Sequence, residues 1–174
     1  MKRRGFTIVE LIITITIMGI LLTLAVVNVS ATQVKARDDE RKSDIESIAN
    51  NLESFFLSGK DNATIFARYP TIGITGSTTS ITTNLRDADI KSFLPPGTTD
   101  AALTFLPSTN VGSSPSIQST SGVLPQPTTS QYIYQPIKSD GSVCLSGEVD
   151  CRKFNLFYRL ESDNTVYRVT SKNQ

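Results

Sequence analysis

The sequence predicts an α+β fold in which one long N-terminal α-helix packs on a small antiparallel β-sheet. Two patterns carry this prediction. Residues 6–58 have a helical pattern that is apolar all round in its first half and amphipathic in its second half. Residues 131–174 instead alternate apolar and polar positions in short runs, which is typical of half-buried strands. The apolar faces of such a helix and such a sheet can be buried against each other.

The N-terminal apolar run is long enough to cross a membrane. It spans 22 residues from Phe6 to Val27, of which only Glu10 is charged. A helix of that length measures about 33 Å, close to the roughly 30 Å thickness of the hydrocarbon core. Three basic residues at positions 2–4 precede the run. They predict that the N-terminus stays in the cytoplasm and that the rest of the chain is exported.

Glu10 is the unusual residue of this run, because an ionised carboxylate near hydrocarbon costs several kcal/mol and usually has a partner there. A conventional secretory signal peptide, cleaved near residues 29–31, is one interpretation of the segment. Such a peptide has a shorter apolar core and a small-residue cleavage site. A plain membrane anchor is a second interpretation, and it explains the length of the run. Neither interpretation gives Glu10 a role.

The segment Gly5-Phe6-Thr7-Ile8-Val9-Glu10-Leu11 resembles the processing site of class III signal sequences, which type IV pilins and pseudopilins carry. The resemblance covers the leader and the whole apolar helix, and the short leader is similar to that of type IVa pilins. It implies that residues 1–5 form the leader and that prepilin peptidase cuts after Gly5. It also implies that the new N-terminal residue, Phe6, becomes N-methylated.

The resemblance implies a structural protein and not an enzyme. The precursor would be held in the cytoplasmic membrane and then polymerise, through the pilus assembly machinery, into a homo-oligomeric surface filament. Filaments of this family serve attachment, twitching motility and DNA uptake. A pseudopilin of a type II secretion system is the alternative within the family. A conventionally secreted soluble binding domain is the alternative from another class.

Cleavage gives Glu10 a partner, because it creates a new ammonium group on Phe6 within about one helical turn of the carboxylate. If that ammonium pairs with Glu10 of a neighbouring chain, the pair sets the axial register between subunits. Buried polar pairs fix register in this way in coiled coils. Glu10 is therefore predicted to be an assembly residue.

Beyond the membrane the same helix is predicted to continue to Ser58, with Gly59 ending it. Residues 6–28 form the transmembrane half and filament core, and residues 29–58 form the amphipathic half. The charged residues at 35–46 are interpreted as a solvated face, with salt bridges between subunits as the alternative. The apolar stripe that docks on the sheet consists of Ile45, Ile48, Ala49, Leu52, Phe55 and Phe56.

Residues 59–130 form a Ser/Thr-rich region, and 23 of the residues from 71 to 130 are Ser or Thr. Leu85–Leu94 is predicted to be a short helix capped by Asn84, and Ala102–Leu106 is predicted to be a strand. Pro107–Ser130 is predicted to be a long loop.

Residues 131–174 are predicted to form the antiparallel sheet, with strands at 132–134, 154–160 and 166–170 and a turn at 161–164. The two cysteines, Cys144 and Cys151, lie in this region. An exported domain is an oxidising setting, which favours a disulfide between them.

The sequence has no histidine, which excludes His-based catalytic triads and leaves the two cysteines without partners for a metal site. It also has no phosphate-binding glycine loop. The acidic turns at 139–142 and 161–164 are interpreted as ordinary β-turns and not as calcium ligands. Side chains of the processed chain would carry about 14 basic and 16 acidic groups, so no nucleic-acid site is evident. No cofactor or metal is predicted.

Overall fold

The computed structural model describes residues 5–59 and 66–173 of the chain. It separates into two compact units, Met1–Ala36 and Arg37–Gln174. Most of the predicted leader (residues 1–4) and part of the predicted Ser/Thr-rich region (residues 60–65) lie outside the described residues.

Helix α1 runs from Ile8 to Ser58 and contributes to both units. It begins two residues later than predicted, because Thr7 caps it. Its C-terminal end is as predicted: Gly59 has a φ of 69° and its N–H donates to the carbonyl of Phe55 at 2.8 Å. Glycine adopts this left-handed conformation without the steric cost that a Cβ would impose.

The second unit is built on a four-stranded sheet in the order β1-β2-β3-β4. The strands are β1 (Phe105–Pro107), β2 (Tyr132–Lys138), β3 (Cys151–Arg159) and β4 (Val166–Thr170). The pairs β2–β3 and β3–β4 are antiparallel, as predicted. The pair β1–β2 is parallel, so β1, which lies outside the sheet predicted at residues 131–174, makes the complete sheet mixed.

One face of the sheet packs on the second half of α1, as the apolar stripe predicts. Ile45, Ile48, Ala49 and Leu52 of the helix are buried, and Phe55 and Phe56 are half-buried against the same core. The sheet contributes alternate positions of its two central strands to this core: Tyr132, Tyr134, Phe154, Leu156 and Tyr158. The helix and sheet thus share one apolar core, which is the predicted α+β arrangement.

The region between α1 and β2 contains short elements whose predicted positions were wrong. In place of a helix at Leu85–Leu94, α2 spans Thr78–Asn84 and a 3-10 helix spans Ile90–Phe93. In place of a strand at Ala102–Leu106, α3 spans Ala101–Thr104 and only the three residues of β1 are extended. The N-caps decide these starts, since the side chains of Ser77, Asp89 and Asp100 each accept a hydrogen bond from the first turn that follows.

The long loop covers the other face of the sheet, and we call residues 108–130 the strap. Val123 of the strap is fully buried with Ile133 and Phe157 of the sheet. Side chains elsewhere in the unit hold strap carbonyl groups. Arg41 donates to Thr129 and Arg159 to Pro127, each at 2.8 Å; Gln135 donates to Ile117 at 3.0 Å and Arg168 to Gln118 at 2.5 Å.

Candidate processing and assembly site

The predicted cleavage residues lie just before α1, in chain that is not helical. Gly5, Phe6 and Thr7 precede the first helical residue, Ile8, and all three are exposed. Phe6 is 89% exposed. The Gly5–Phe6 peptide bond therefore lies in exposed chain outside the helix.

Thr7 and Glu10 form a reciprocal cap on the first turn of α1. The Thr7 N–H and hydroxyl both donate to Oε2 of Glu10, at 2.9 and 2.8 Å. In return, the N–H of Glu10 donates to Oγ1 of Thr7 at 3.3 Å. This is a capping box, in which a Thr at the N-cap and a Glu three residues later satisfy each other's backbone N–H groups.

The capping box was missed in the sequence, although its signal, Thr7-x-x-Glu10 before an apolar run, is present there. Sequence reasoning explained Glu10 by its charge alone. The structure gives the carboxylate a partner within its own chain before any neighbour is considered. Glu10 thus helps to cap the start of the helix. A role for Glu10 in assembly has to be compatible with its contact to Thr7.

The first unit presents an apolar surface on every side of α1. All side chains from Ile8 to Leu24 are exposed. The hydroxyl groups of Thr14, Thr16 and Thr23 donate to backbone carbonyl groups three or four residues earlier in the helix, at 2.7–3.0 Å. These donors are therefore satisfied without water. Among the described residues, α1 is the helix with the length and hydropathy to cross a membrane, a property that a signal sequence shares.

The start of the second unit holds a buried ionic cluster. Asp38 and Arg41 are each 3% exposed, and Nη1 of Arg41 donates to Oδ1 of Asp38 at 2.8 Å. The Asp38 carboxylate also accepts the N–H groups of Glu161 and Ser162, in the turn between β3 and β4, at 2.8 and 2.9 Å. Arg37 donates to both carboxylate oxygens of Glu161, at 2.8 and 2.6 Å.

This cluster corrects the interpretation of residues 35–46 as a wholly solvated face. Asp38 and Arg41 face the core and tie α1 to the β3–β4 turn within one chain. Burial raises the pKa of Asp38, but the two backbone N–H groups and Arg41 outweigh it and bring the pKa to about 2. By contrast Asp39 and Lys42 are solvated, with side chains 59% and 48% exposed and a separation of 3.6 Å.

Two further carboxylates tie α1 to the rest of the unit. Asp44 accepts a hydrogen bond from the hydroxyl of the buried Tyr132 at 2.8 Å, and burial raises the pKa of Asp44 to about 6. Glu53 accepts bonds from the Tyr69 hydroxyl, the Lys172 N–H and the Asn173 amide, at 2.8, 2.7 and 2.7 Å. The acidic residues on this face therefore position the helix.

The predicted disulfide between Cys144 and Cys151 is present, and both residues are buried. The main chain at Cys151 also binds the segment after α1, since its carbonyl accepts the N–H of Tyr69 at 2.8 Å. In the turn at 139–142, the Asp140 carboxylate accepts bonds from the N–H and hydroxyl of Ser142, which is ordinary turn chemistry. The described residues contain no group of three or more side chains of the metal-binding types placed to hold an ion.

Comparison with known proteins identifies a motif in the first unit. The family model for the prokaryotic N-terminal methylation motif matches residues 1–26, which include Gly5, Phe6 and Glu10. The chain is similar to type IV pilins and pseudopilins.

Two curated relatives support this statement at modest identity. The chain is 36% identical over 66 residues to the type IV major pilin protein PilA of Myxococcus xanthus, a match that covers 38% of this chain and 30% of the relative. It is 36% identical over 70 residues to the type II secretion system core protein G of Dickeya chrysanthemi, covering 40% of this chain and 41% of the relative. The chain thus matches less than half the length of either protein. No solved structure matches it.

Proposed function

We propose that the chain is a structural subunit of a type IV pilus, made as a membrane-held precursor with its N-terminus in the cytoplasm. Prepilin peptidase removes residues 1–5 and N-methylates Phe6, and the pilus assembly machinery polymerises the product into a surface filament. The observation that supports this most strongly is the methylation motif at the start of a capped helix whose apolar side chains are all exposed from Ile8 to Leu24. Such a surface has to be covered, first by lipid and then by other subunits.

N-terminal mass spectrometry of the mature chain tests the processing step. The proposal requires a chain that begins at methylated Phe6. A chain that begins at Thr32 would indicate a conventional signal peptide and a secreted soluble domain, and would refute the proposal. Electron microscopy of sheared surface material, with this chain identified in the filaments, tests the assembly step.

Two substitutions of Glu10 separate its charge from its capping role. Gln is accepted at this position of a capping box, so Glu10→Gln keeps the cap and loses the charge, whereas Glu10→Ala loses both. We expect both variants to insert in the membrane normally and both to give few or disordered filaments, because neither can pair with the Phe6 ammonium. Filament yields are measured by quantitative immunoblotting of sheared material. Wild-type filaments from Glu10→Gln would contradict a role for charge pairing in register.

A pseudopilin of a type II secretion system is the second candidate. It is favoured by the match to core protein G, which covers a larger share of that relative than the match to PilA does. Deletion of the gene distinguishes the candidates. Loss of surface filaments with normal exoprotein secretion supports the pilus subunit, and loss of secretion with unchanged filaments supports the pseudopilin.

A further inference from the structure

We infer that Thr7 is a positioning residue for leader cleavage. Its capping box makes α1 begin at Ile8 and so keeps the Gly5–Phe6 peptide bond in exposed, non-helical chain. This inference rests on the proposed function, because it assumes that the bond is cut. It assigns a role to the side chain of the second residue after the cleaved bond. The role is conformational and requires no contact between Thr7 and the peptidase.

The backbone contacts show how Thr7 fixes the start of the helix. The carbonyl of Thr7 accepts the N–H of Leu11 at 3.3 Å, the first helical bond, as the carbonyl of an N-cap residue does. Its side-chain hydroxyl also accepts a hydrogen bond from the N–H of Glu10. Phe6 and Gly5 lie outside this hydrogen-bonded turn, and Phe6 is 89% exposed.

Cleavage needs that exposure. Hydrolysis adds the oxygen of water to the carbonyl carbon of Gly5, breaks the bond to the nitrogen of Phe6 and transfers both protons of that water to the nitrogen. The products are a carboxylate on Gly5 and an ammonium on Phe6. Both the carbonyl and the flanking main chain have to be accessible, which is why peptidases act preferentially on exposed non-helical segments.

Removing the cap would hide the bond. Without the Thr7 hydroxyl, the N–H of Glu10 loses its partner, so another residue is favoured as the N-cap of the helix. The nearest residue upstream that is tolerated as an N-cap is Gly5. A helix capped by Gly5 would engage the Gly5 carbonyl, the group that water attacks, in a hydrogen bond with the N–H of Val9.

The test compares full-length precursor variants as substrates of purified prepilin peptidase in detergent. Thr7→Val keeps the shape of the side chain and removes the hydroxyl, whereas Thr7→Ser and Thr7→Asn change its shape and keep the capping group. We expect kcat/KM for cleavage to fall about two- to thirtyfold in Thr7→Val, matching the usual worth of an N-cap. Cleavage of the Ser and Asn variants should stay within about twofold of wild type.

The matched control is Thr14→Val, which removes a hydroxyl that donates to the Leu11 carbonyl at 2.8 Å, two turns inside the helix. It should be cleaved like wild type. Carbon-13 Cα chemical shifts of Phe6 and of the residue at position 7 give a readout besides cleavage. They should become helical in Thr7→Val and remain non-helical in the Ser and Asn variants.

The possible outcomes are distinct. Wild-type cleavage of Thr7→Val overturns the inference, as does slow cleavage of the Ser and Asn variants, which would mean that the peptidase reads the shape of Thr7. Slow cleavage of Thr7→Val with unchanged chemical shifts also overturns it. If the wild-type precursor itself is not cut between Gly5 and Phe6, the proposed function fails first.

Discussion

Asp38 should be the most sensitive charged residue of the second unit. It is 3% exposed, and it holds the buried guanidinium of Arg41 and two backbone N–H groups of the β3–β4 turn. Asp38→Ala removes the acceptor from all three donors and leaves the buried Arg41 guanidinium without its Asp38 partner. Loss of one partner from a buried ion pair typically costs about 3–5 kcal/mol of unfolding free energy. Asp38→Asn keeps one acceptor oxygen, so we expect it to cost less, about 1–3 kcal/mol.

The pH dependence provides an independent measure of the same contacts. Because the pKa of Asp38 falls from 3.8 to about 2 on folding, the folded state favours the ionised form. The contribution is fully present above pH 4 and is lost as the pH falls through 2. It amounts to about 2 kcal/mol. The wild type should therefore lose this much stability on acidification to pH 2, and Asp38→Asn should not show that component.

Urea denaturation of the full chain in mild detergent, followed by tyrosine fluorescence, measures both effects. Asp39→Ala is the matched control, because Asp39 is the next residue in the helix and its side chain is 59% exposed. Its pairing with Lys42 should contribute at most about 0.5 kcal/mol. If Asp38→Ala is no more destabilising than Asp39→Ala, the buried cluster does not hold the helix to the turn.

Two other predictions concern the same unit. Because burial raises the pKa of Asp44 to about 6, the wild type should lose stability as the pH rises from 4 to 6; Asp44→Asn should largely remove this slope and be about 1–2 kcal/mol more stable at pH 7. Identical pH profiles in urea denaturation would refute the role of Asp44. The double variant Cys144→Ser with Cys151→Ser should lower the unfolding free energy by about 2–3 kcal/mol, the entropy of a short closed loop. A smaller loss than about 1 kcal/mol would show that the loop is ordered without its bridge.

Features encoded by local periodicity were predictable. The apolar stripe from Ile45 to Phe56 identified the face of α1 that packs on the sheet, and Gly59 identified its end. Strands β3 and β4 follow from alternation and from the turn between them. In each case the information lies within a few neighbouring residues, where helical or strand geometry dictates which side chains share a face.

Features that depend on distant partners were not predictable. Asp38 and Asp39 are adjacent acidic residues, and only the position of the β3–β4 turn, more than 120 residues later, makes one buried and the other exposed. The parallel pairing of Phe105 with Tyr132 joins two segments across a 24-residue loop and has no local signature. The capping box of Thr7 and Glu10 is different, because it was readable locally and was obscured by an explanation based on charge.

The way in which the strap is fastened has a consequence for how this protein can change over evolutionary time. Four side chains outside or beneath the strap, Arg41, Gln135, Arg159 and Arg168, bind the carbonyl oxygens of strap residues. Every amino acid supplies a carbonyl oxygen, so these bonds do not depend on which side chains the strap displays. Substitutions at the outward positions of the strap can therefore leave these four hydrogen bonds intact. The chemistry of this surface can change in evolution while the fold beneath it stays the same.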